Sequence, residues 1–357
     1  MTDMDETTFR ILDTLSRELG NSFSINGLTR RIKEGHGGAY YANIYNKIRT
    51  LCKDGIITLT TAGRSSIPSL NFSNYQLLDM LAQIELRRKQ ELLRKSKELQ
   101  MLLKDAEERY ENIRSIESIS ATNPDRNLKL NRTELLILLH ESKGNNLHRE
   151  IIDIHAITRD LQALHNIKLD PLILTADAFL HLLTSDEINP LREMLSNKIT
   201  FHSPQGFWTR IAATLARGYR IKLLKRDTNP SKISEKDLIF NLARYGYKEI
   251  GFETWEGEKI CIEYIIASML MTEEARRIDA IPILLAKNKA NYSLLIFLSQ
   301  KYRFSARLLG LLKALSRIKP LSENATGIDI LEKLGTKEIK ADEKSIEQKM
   351  RLYNAIR

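Results

Sequence analysis

The sequence predicts a mainly α protein with a small α/β part, and three observations carry that reading. Apolar residues recur at three- and four-residue spacing through most of the chain, the pattern of helices burying one face. Short β-branched or apolar runs bounded by turn residues occur in only two places, near residue 60 and between about 116 and 202. Gly 16 and Pro 8 among 357 residues leave few breakers and exclude collagen-like or broadly low-complexity character. The length suits two or three domains, each with chain enough to bury a core.

Taken in order, Glu6–Gly20 sets Phe9, Ile11, Leu12, Leu15 and Leu19 on one side and closes on a glycine, which predicts a first helix. Ser24 caps a second over Ile25–Gly35, and a third runs from about Tyr40 to Lys53. The run IITLTT alternates as a strand, and Ala62–Ser66 has the composition of a loop. From Tyr75 to about Arg114 there is neither Gly nor Pro, so one helix about 60 Å long is expected there. Leu92, Ser96, Leu99, Leu103, Ala106, Tyr110 and Ile113 follow 4,3 spacing, a heptad seam. Thr133–Leu139 and Lys168–Leu174 read as buried strands joined by a helix over His148–Leu164, a βαβ-like unit. A helix over Asp177–Thr184, a helix started by Pro190 and a strand over Lys198–His202 follow. Helical spacing then returns over Phe207–Leu223, Ser234–Arg244, Ile260–Met271, Thr272–Leu285, Tyr292–Lys301 and Ser305–Ile318. The expected domains are therefore 1–75, a stalk at 76–115, an α/β domain at 116–206, a helical domain at 207–321 and a charged tail at 322–357.

No apolar run reaches about 18 residues, so no membrane partner is expected, and the polar start MTDMDETTF does not read as a secretory signal. Cys52 and Cys261, the two cysteines, support neither a disulfide framework nor a four-cysteine zinc site, which suits a cytoplasmic setting. His148 and His155 share one helix face and read as packing or surface residues, and Trp208 and Trp255 as core anchors. The basic run containing Arg87, Arg88 and Lys89 is interleaved with glutamates and reads as a solvated helix face. The net charge is +10, and residues 21–75 hold seven basic and two acidic side chains, half of that excess. Such concentration is what a phosphate-binding surface shows.

Three helices, a strand and a basic glycine-containing loop is the order of winged helix-turn-helix domains, in which the third helix enters the major groove and the wing follows the backbone. Candidate contacts to double-stranded DNA are Arg30, Arg31, Tyr41, Asn43, Asn46, Lys47, Arg49, Lys53 and Arg64. Asparagine can pair with adenine, and arginine or lysine with guanine or phosphate. Of Tyr40, Tyr41 and Tyr45, at least one is expected to pack inward. The stretch GRSSIPSLN, leading into the long helix, resembles the winged-helix regions of archaeal regulators over roughly the first 100 residues. A homodimer through the seam at 92–113 would present two such units to two half-sites.

Residues 116–206 resemble the small nucleotidyltransferase domain of the polymerase-β superfamily, most closely over DPLILTADAFLHLLTSDEINPLREMLSNKITF. The resemblance implies a strand ending in Gly-Ser, two aspartates one residue apart on the next strand and a third carboxylate on a later one, together holding two divalent metals. Here Ala121-Thr122 stands where Gly-Ser is expected, Arg132 at the first aspartate, Glu134 at the second and Asp170 at the third. An arginine at that position repels a second divalent ion, so the resemblance implies a catalytically inactive scaffold without cofactor, with Glu134 and Asp170 as weak metal candidates. The expected function is a transcription regulator or chromosome-associated factor on the nucleoid. The alternative is an active nucleotidyltransferase or toxin-type transferase with rearranged metal ligands.

Overall fold

The computed structural model describes residues 4–124, 132–140, 146–223, 229–248, 256–272 and 274–356. The chain is mainly helical with a small strand content, as its periodicity predicts. Trp255 lies outside the described residues.

The N-terminal part packs α1 (Glu6–Arg17), α2 (Ile25–His36) and α3 (Tyr41–Lys53) around Phe9, Ile11, Leu12, Leu28, Ile32, Ile48 and Leu51. Each such side chain contributes about 1.5–3 kcal/mol by leaving water. Asp5 caps α1 by accepting from the Thr8 N–H at 2.7 Å, and Ser24 caps α2 by accepting from Gly27 at 3.2 Å. An antiparallel hairpin follows, β1 (Ile57–Ala62) and β2 (Ser65–Leu70), with Ala62 opposite Ser65. Only Gly63 and Arg64 remain between the strands, and Gly63 has φ +58°, the left-handed backbone a two-residue hairpin turn requires. The loop expected at 62–66 is thus a tight turn, and the residues after it form a strand.

The uninterrupted 75–114 helix is corrected to two helices, α4 (Tyr75–Leu93) and α5 (Lys97–Tyr110). Ser96 is the reason: its hydroxyl accepts from the Leu99 N–H at 3.2 Å and starts α5 afresh. The seam is also reassigned. Leu92, Leu99, Leu103, Ala106 and Tyr110 are buried within this one chain, and the Tyr110 hydroxyl meets Thr158 at 2.7 Å. The residues expected to join two copies instead hold α5 against α6 (Asn146–His165). The solvated reading of this run fails at Arg88, which is buried, whereas the partly exposed Arg87 forms an i,i+4 pair with Glu91 at 3.2 Å.

The second sheet has strand order β5-β4-β3-β6, formed by β3 (Ile116–Thr122), β4 (Arg132–Leu139), β5 (Lys168–Thr175) and β6 (Lys198–His202). β3 pairs antiparallel with β4 and β6, whereas β4 and β5 are parallel and joined through α6. Helices cover both faces, so all of β3 is buried: α4 and α9 (Pro204–Ala216) lie on β3 and β6, and α6 and α7 (Ala176–Thr184) on β5. After α8 (Pro190–Ser196) and β6 the chain is helical.

The C-terminal region comprises α10 (Glu235–Arg244), α11 (Ile262–Thr272), α12 (Ala275–Ile278), α13 (Ile281–Lys287), α14 (Tyr292–Tyr302), α15 (Ser305–Ile318), α16 (Ser322–Lys333) and α17 (Glu343–Leu352). The single helix expected over 272–285 divides because Pro282 fits a first turn and not an interior. The expected charged tail is folded: Asn324, Ile330, Leu331, Ile346 and Met350 of α16 and α17 are buried. At Gly310 of α15 a Cβ would lie 1.8 Å from the Ile339 carbonyl oxygen, so the backbone leading to α17 crosses α15 where only glycine fits.

The N-terminal unit is not separated from the sheet by a free stalk. Asp13 of α1 accepts from Arg88 of α4 at 2.5 Å and meets the His36 ring at 3.0 Å. Arg88 donates to Glu85 at 3.0 Å, and Glu85 accepts from Lys198 of β6 at 2.6 Å and from the Thr200 N–H at 2.9 Å. These charges are buried and paired in series, from α1 through α4 to the edge strand β6. Leu223 and Leu19 add a backbone bond at 2.9 Å across the same junction.

Candidate functional site

The outward face of α3 is set by which residues it buries. Ile44, Ile48 and Leu51 form the inward stripe, and Tyr41, Asn43, Tyr45, Asn46, Arg49 and Lys53 face outward. Arg49, Lys53, Lys33 of α2 and Arg64 at the hairpin tip are exposed and form no ion pair among the described residues. Arg30 is exposed beside Glu34 at 3.9 Å. Six of the nine sequence-predicted contacts therefore lie on α3, with Arg64 at the hairpin tip and Arg30 and Arg31 on α2.

Two of the nine are committed elsewhere. Lys47 pairs with Asp5 at 2.5 Å and holds that carboxyl below the usual range against the effect of its partial burial. Arg31 lies over the Phe23 ring and pairs with Glu18 and Glu34 at 3.7 Å. The expectation that one tyrosine packs inward is corrected: Tyr40, Tyr41 and Tyr45 are all exposed, because the inward stripe of α3 is filled by aliphatic side chains.

The second place singled out in the sequence is the β3–β4–β5 end of the sheet. Parallel pairing sets Glu134 directly beside Asp170, and Arg132 directly beside Lys168, so a carboxylate rung lies next to a cationic rung. Arg132 donates to Asp170, Lys168 approaches Asp170 at 3.5 Å, and Lys301 of α14 pairs with Glu134 at 2.9 Å. Thr122 donates to the other Glu134 oxygen at 3.4 Å. Burial pushes the Lys168 ammonium below its usual range, with Asp170 opposing and Arg132 adding to the fall. Both carboxylates are thus met by cations where metal ligands would be needed. Among the described residues no group of three or more His, Cys, Asp or Glu is placed to hold a metal ion. Sequence reasoning missed Lys301, whose partner lies far away in the chain.

A cleft of about 1010 Å³ also opens between the end of α7 and the loop before α14, lined by Asp177, His181, Glu187, Tyr245, Glu263 and Asn291 among others. Its innermost carboxyl, Glu263, is pushed up by burial and accepts from the Asn291 N–H at 2.6 Å. That bond ties α11 to α14, a structural use. Compared with known proteins, the chain matches no family model, no curated protein and no solved structure.

Proposed function

We propose that this chain binds double-stranded DNA, with α1–α3 and the β1–β2 hairpin acting as a winged helix-turn-helix and α3 as the groove-facing helix. The observation that carries the reading is the outward face of α3, where amides and unpaired cations stand on one side of a helix whose other side is core. Arg64 at the tip of a two-residue turn suits a phosphate contact beside the groove. Tyr41, Asn43, Asn46, Arg49, Lys53, Arg64 and Arg30 are the contacts retained, and Lys47 and Arg31 become supports.

The 116–206 region, which resembles the nucleotidyltransferase domain, then serves as a scaffold. A two-metal transfer needs free, converging oxygens, and here Arg132, Lys168 and Lys301 meet both carboxylates. A regulatory or chromosome-associated role on the nucleoid follows from DNA binding without catalysis.

The test is electrophoretic and uses the full chain, since Glu85 and Arg88 tie the N-terminal unit to the sheet. Arg49→Glu with Lys53→Glu should abolish the shift of a blunt duplex while leaving the melting temperature unchanged. Equal binding by that variant would overturn the reading.

A further inference from the structure

Among the described residues ten large hydrophobic side chains are exposed, and three of them, Tyr40 (76%), Tyr41 (47%) and Tyr45 (38%), fall within one turn and a half of α3. An isolated exposed aromatic needs no explanation, but three within six residues at the start of a basic helix do. None of the three rings is among the buried residues of α3, which are Ile44, Ile48 and Leu51. Tyr41 and Tyr45 are stacked on each other, with ring centroids 5.9 Å apart and planes 28° from parallel. Residues four apart on a helix stand above one another, so Tyr41, Tyr45, Arg49 and Lys53 form a single row about 18 Å long. The first half of that row is aromatic and the second half cationic.

A blunt duplex makes poor use of such a row. Its grooves present base edges and its base faces are hidden within the stack, so a phenol face finds no π-partner there. Unpaired nucleotides expose those faces, and aromatic platforms beside cations are how proteins hold them, with little dependence on sequence. Asn43, Asn46, Arg64 and Arg30 are also exposed and remain available for duplex edges and phosphates.

We infer that α3 prefers DNA in which a duplex passes into an unpaired strand, with Tyr41 and Tyr45 stacking on the unpaired bases and Arg49 and Lys53 holding the adjoining duplex phosphates. This inference rests on the DNA-binding reading of the same helix and names the form of DNA it takes. The stacked pair presents its free ring faces to the bases, and Tyr40 is exposed at the residue before α3.

The test compares three labelled probes with the full chain by fluorescence anisotropy: a blunt duplex, the same duplex with a single-stranded thymidine tail, and the tail alone. The tailed duplex should bind about tenfold more tightly than the blunt one. Tyr41→Ala with Tyr45→Ala should remove that advantage, losing about tenfold on the tailed probe and little on the blunt one. Tyr41→Phe with Tyr45→Phe, which keeps the ring faces and removes the hydroxyls, should retain it. Equal binding of blunt and tailed probes, or loss in the phenylalanine variant equal to that in the alanine variant, overturns the stacking inference and leaves DNA binding intact. A tyrosine-dependent self-association with no change in DNA affinity also overturns it. Failure of all three probes at low salt removes the DNA-binding reading itself.

Discussion

Replacing Glu85 with leucine removes the middle of the buried charge series, and its consequences can be worked out from the geometry. Glu85 is fully buried, and its carboxylate accepts from Lys198 at 2.6 Å, from Arg88 at 3.0 Å and from the Thr200 N–H at 2.9 Å. In Glu85→Leu, Arg88 keeps Asp13, but Lys198 keeps only the Thr200 hydroxyl at 2.9 Å and the faces of Phe207 and Trp208. Removing one partner of a buried pair costs about 3–5 kcal/mol. With an unfolding entropy of about 2.1 cal/mol/K per residue, a cooperative unit of 357 residues should melt about 4–7 °C lower. Burial already pushes the Lys198 ammonium down to about 8, against the pull of Glu85. Without Glu85 it falls further, while the unfolded lysine stays near 10.5. Between those two values the unfolded chain binds the extra proton, so the variant gains stability as pH rises, and its deficit widens as pH falls below about 8, where Lys198 of the parent is charged. Adding Lys198→Met to Glu85→Leu removes the orphaned ammonium and should restore at least half of the loss. The assay is a thermal melt followed by circular dichroism at several pH values, with urea titration for the double-mutant cycle. A single variant within 1 °C of the parent, or a double variant no better than the single, would refute the coupling.

The remaining predictions concern other buried groups. Burial of His155 pushes its imidazole down to about 4, below the ordinary 6.5, so the fold favours the neutral ring. That contribution is full above pH 6.5 and lost as pH falls toward 4, up to about 3 kcal/mol, and His155→Leu should remove this part of the pH dependence in urea titrations. Leu99→Asp should cost about 3 kcal/mol or more by burying a carboxylate against α6, read as a lower melting temperature with an unchanged sedimentation coefficient. A dimer-to-monomer change instead would mean the seam joins two chains. Asp170→Ala leaves Arg132 and Lys168 without their shared carboxylate and, because both cations reach solvent, should lower stability by about 1.5–3 kcal/mol, measured by urea titration. A stable variant would show that these cations do not depend on Asp170.

Periodicity made much of this fold legible. α15 and β6 have the bounds that apolar spacing predicts, and the parallel β4–α6–β5 unit follows from two apolar runs with a helix between them. β2 was hidden because serines and Pro68 are poor strand residues, yet an edge strand tolerates a proline that cannot donate to a ladder. The break at 94–96 was hidden because Ser96 fits a heptad position as well as a helix cap. Arg88, Glu85, Lys198 and Lys301 could not be placed by spacing: each is charged and reads as exposed. Burial depends on partners far off in the chain, 113 positions away for the Glu85–Lys198 bond. For the candidate site, spacing identified the outward face of α3 but not that its core stripe was already full, which is why all three tyrosines point outward.

The salt dependence of duplex binding by the full chain tests DNA recognition by α3 and the hairpin most directly. Arg30, Lys33, Arg49, Lys53 and Arg64 are exposed cations of α2, α3 and the hairpin tip, and five neutralised phosphates correspond to a slope of log K against log salt of about −4 to −5. Arg49→Ala should reduce that slope by about 1 and weaken binding on every duplex sequence. Binding with a slope near zero, a slope unchanged by Arg49→Ala, or no binding at about 50 mM salt would contradict it.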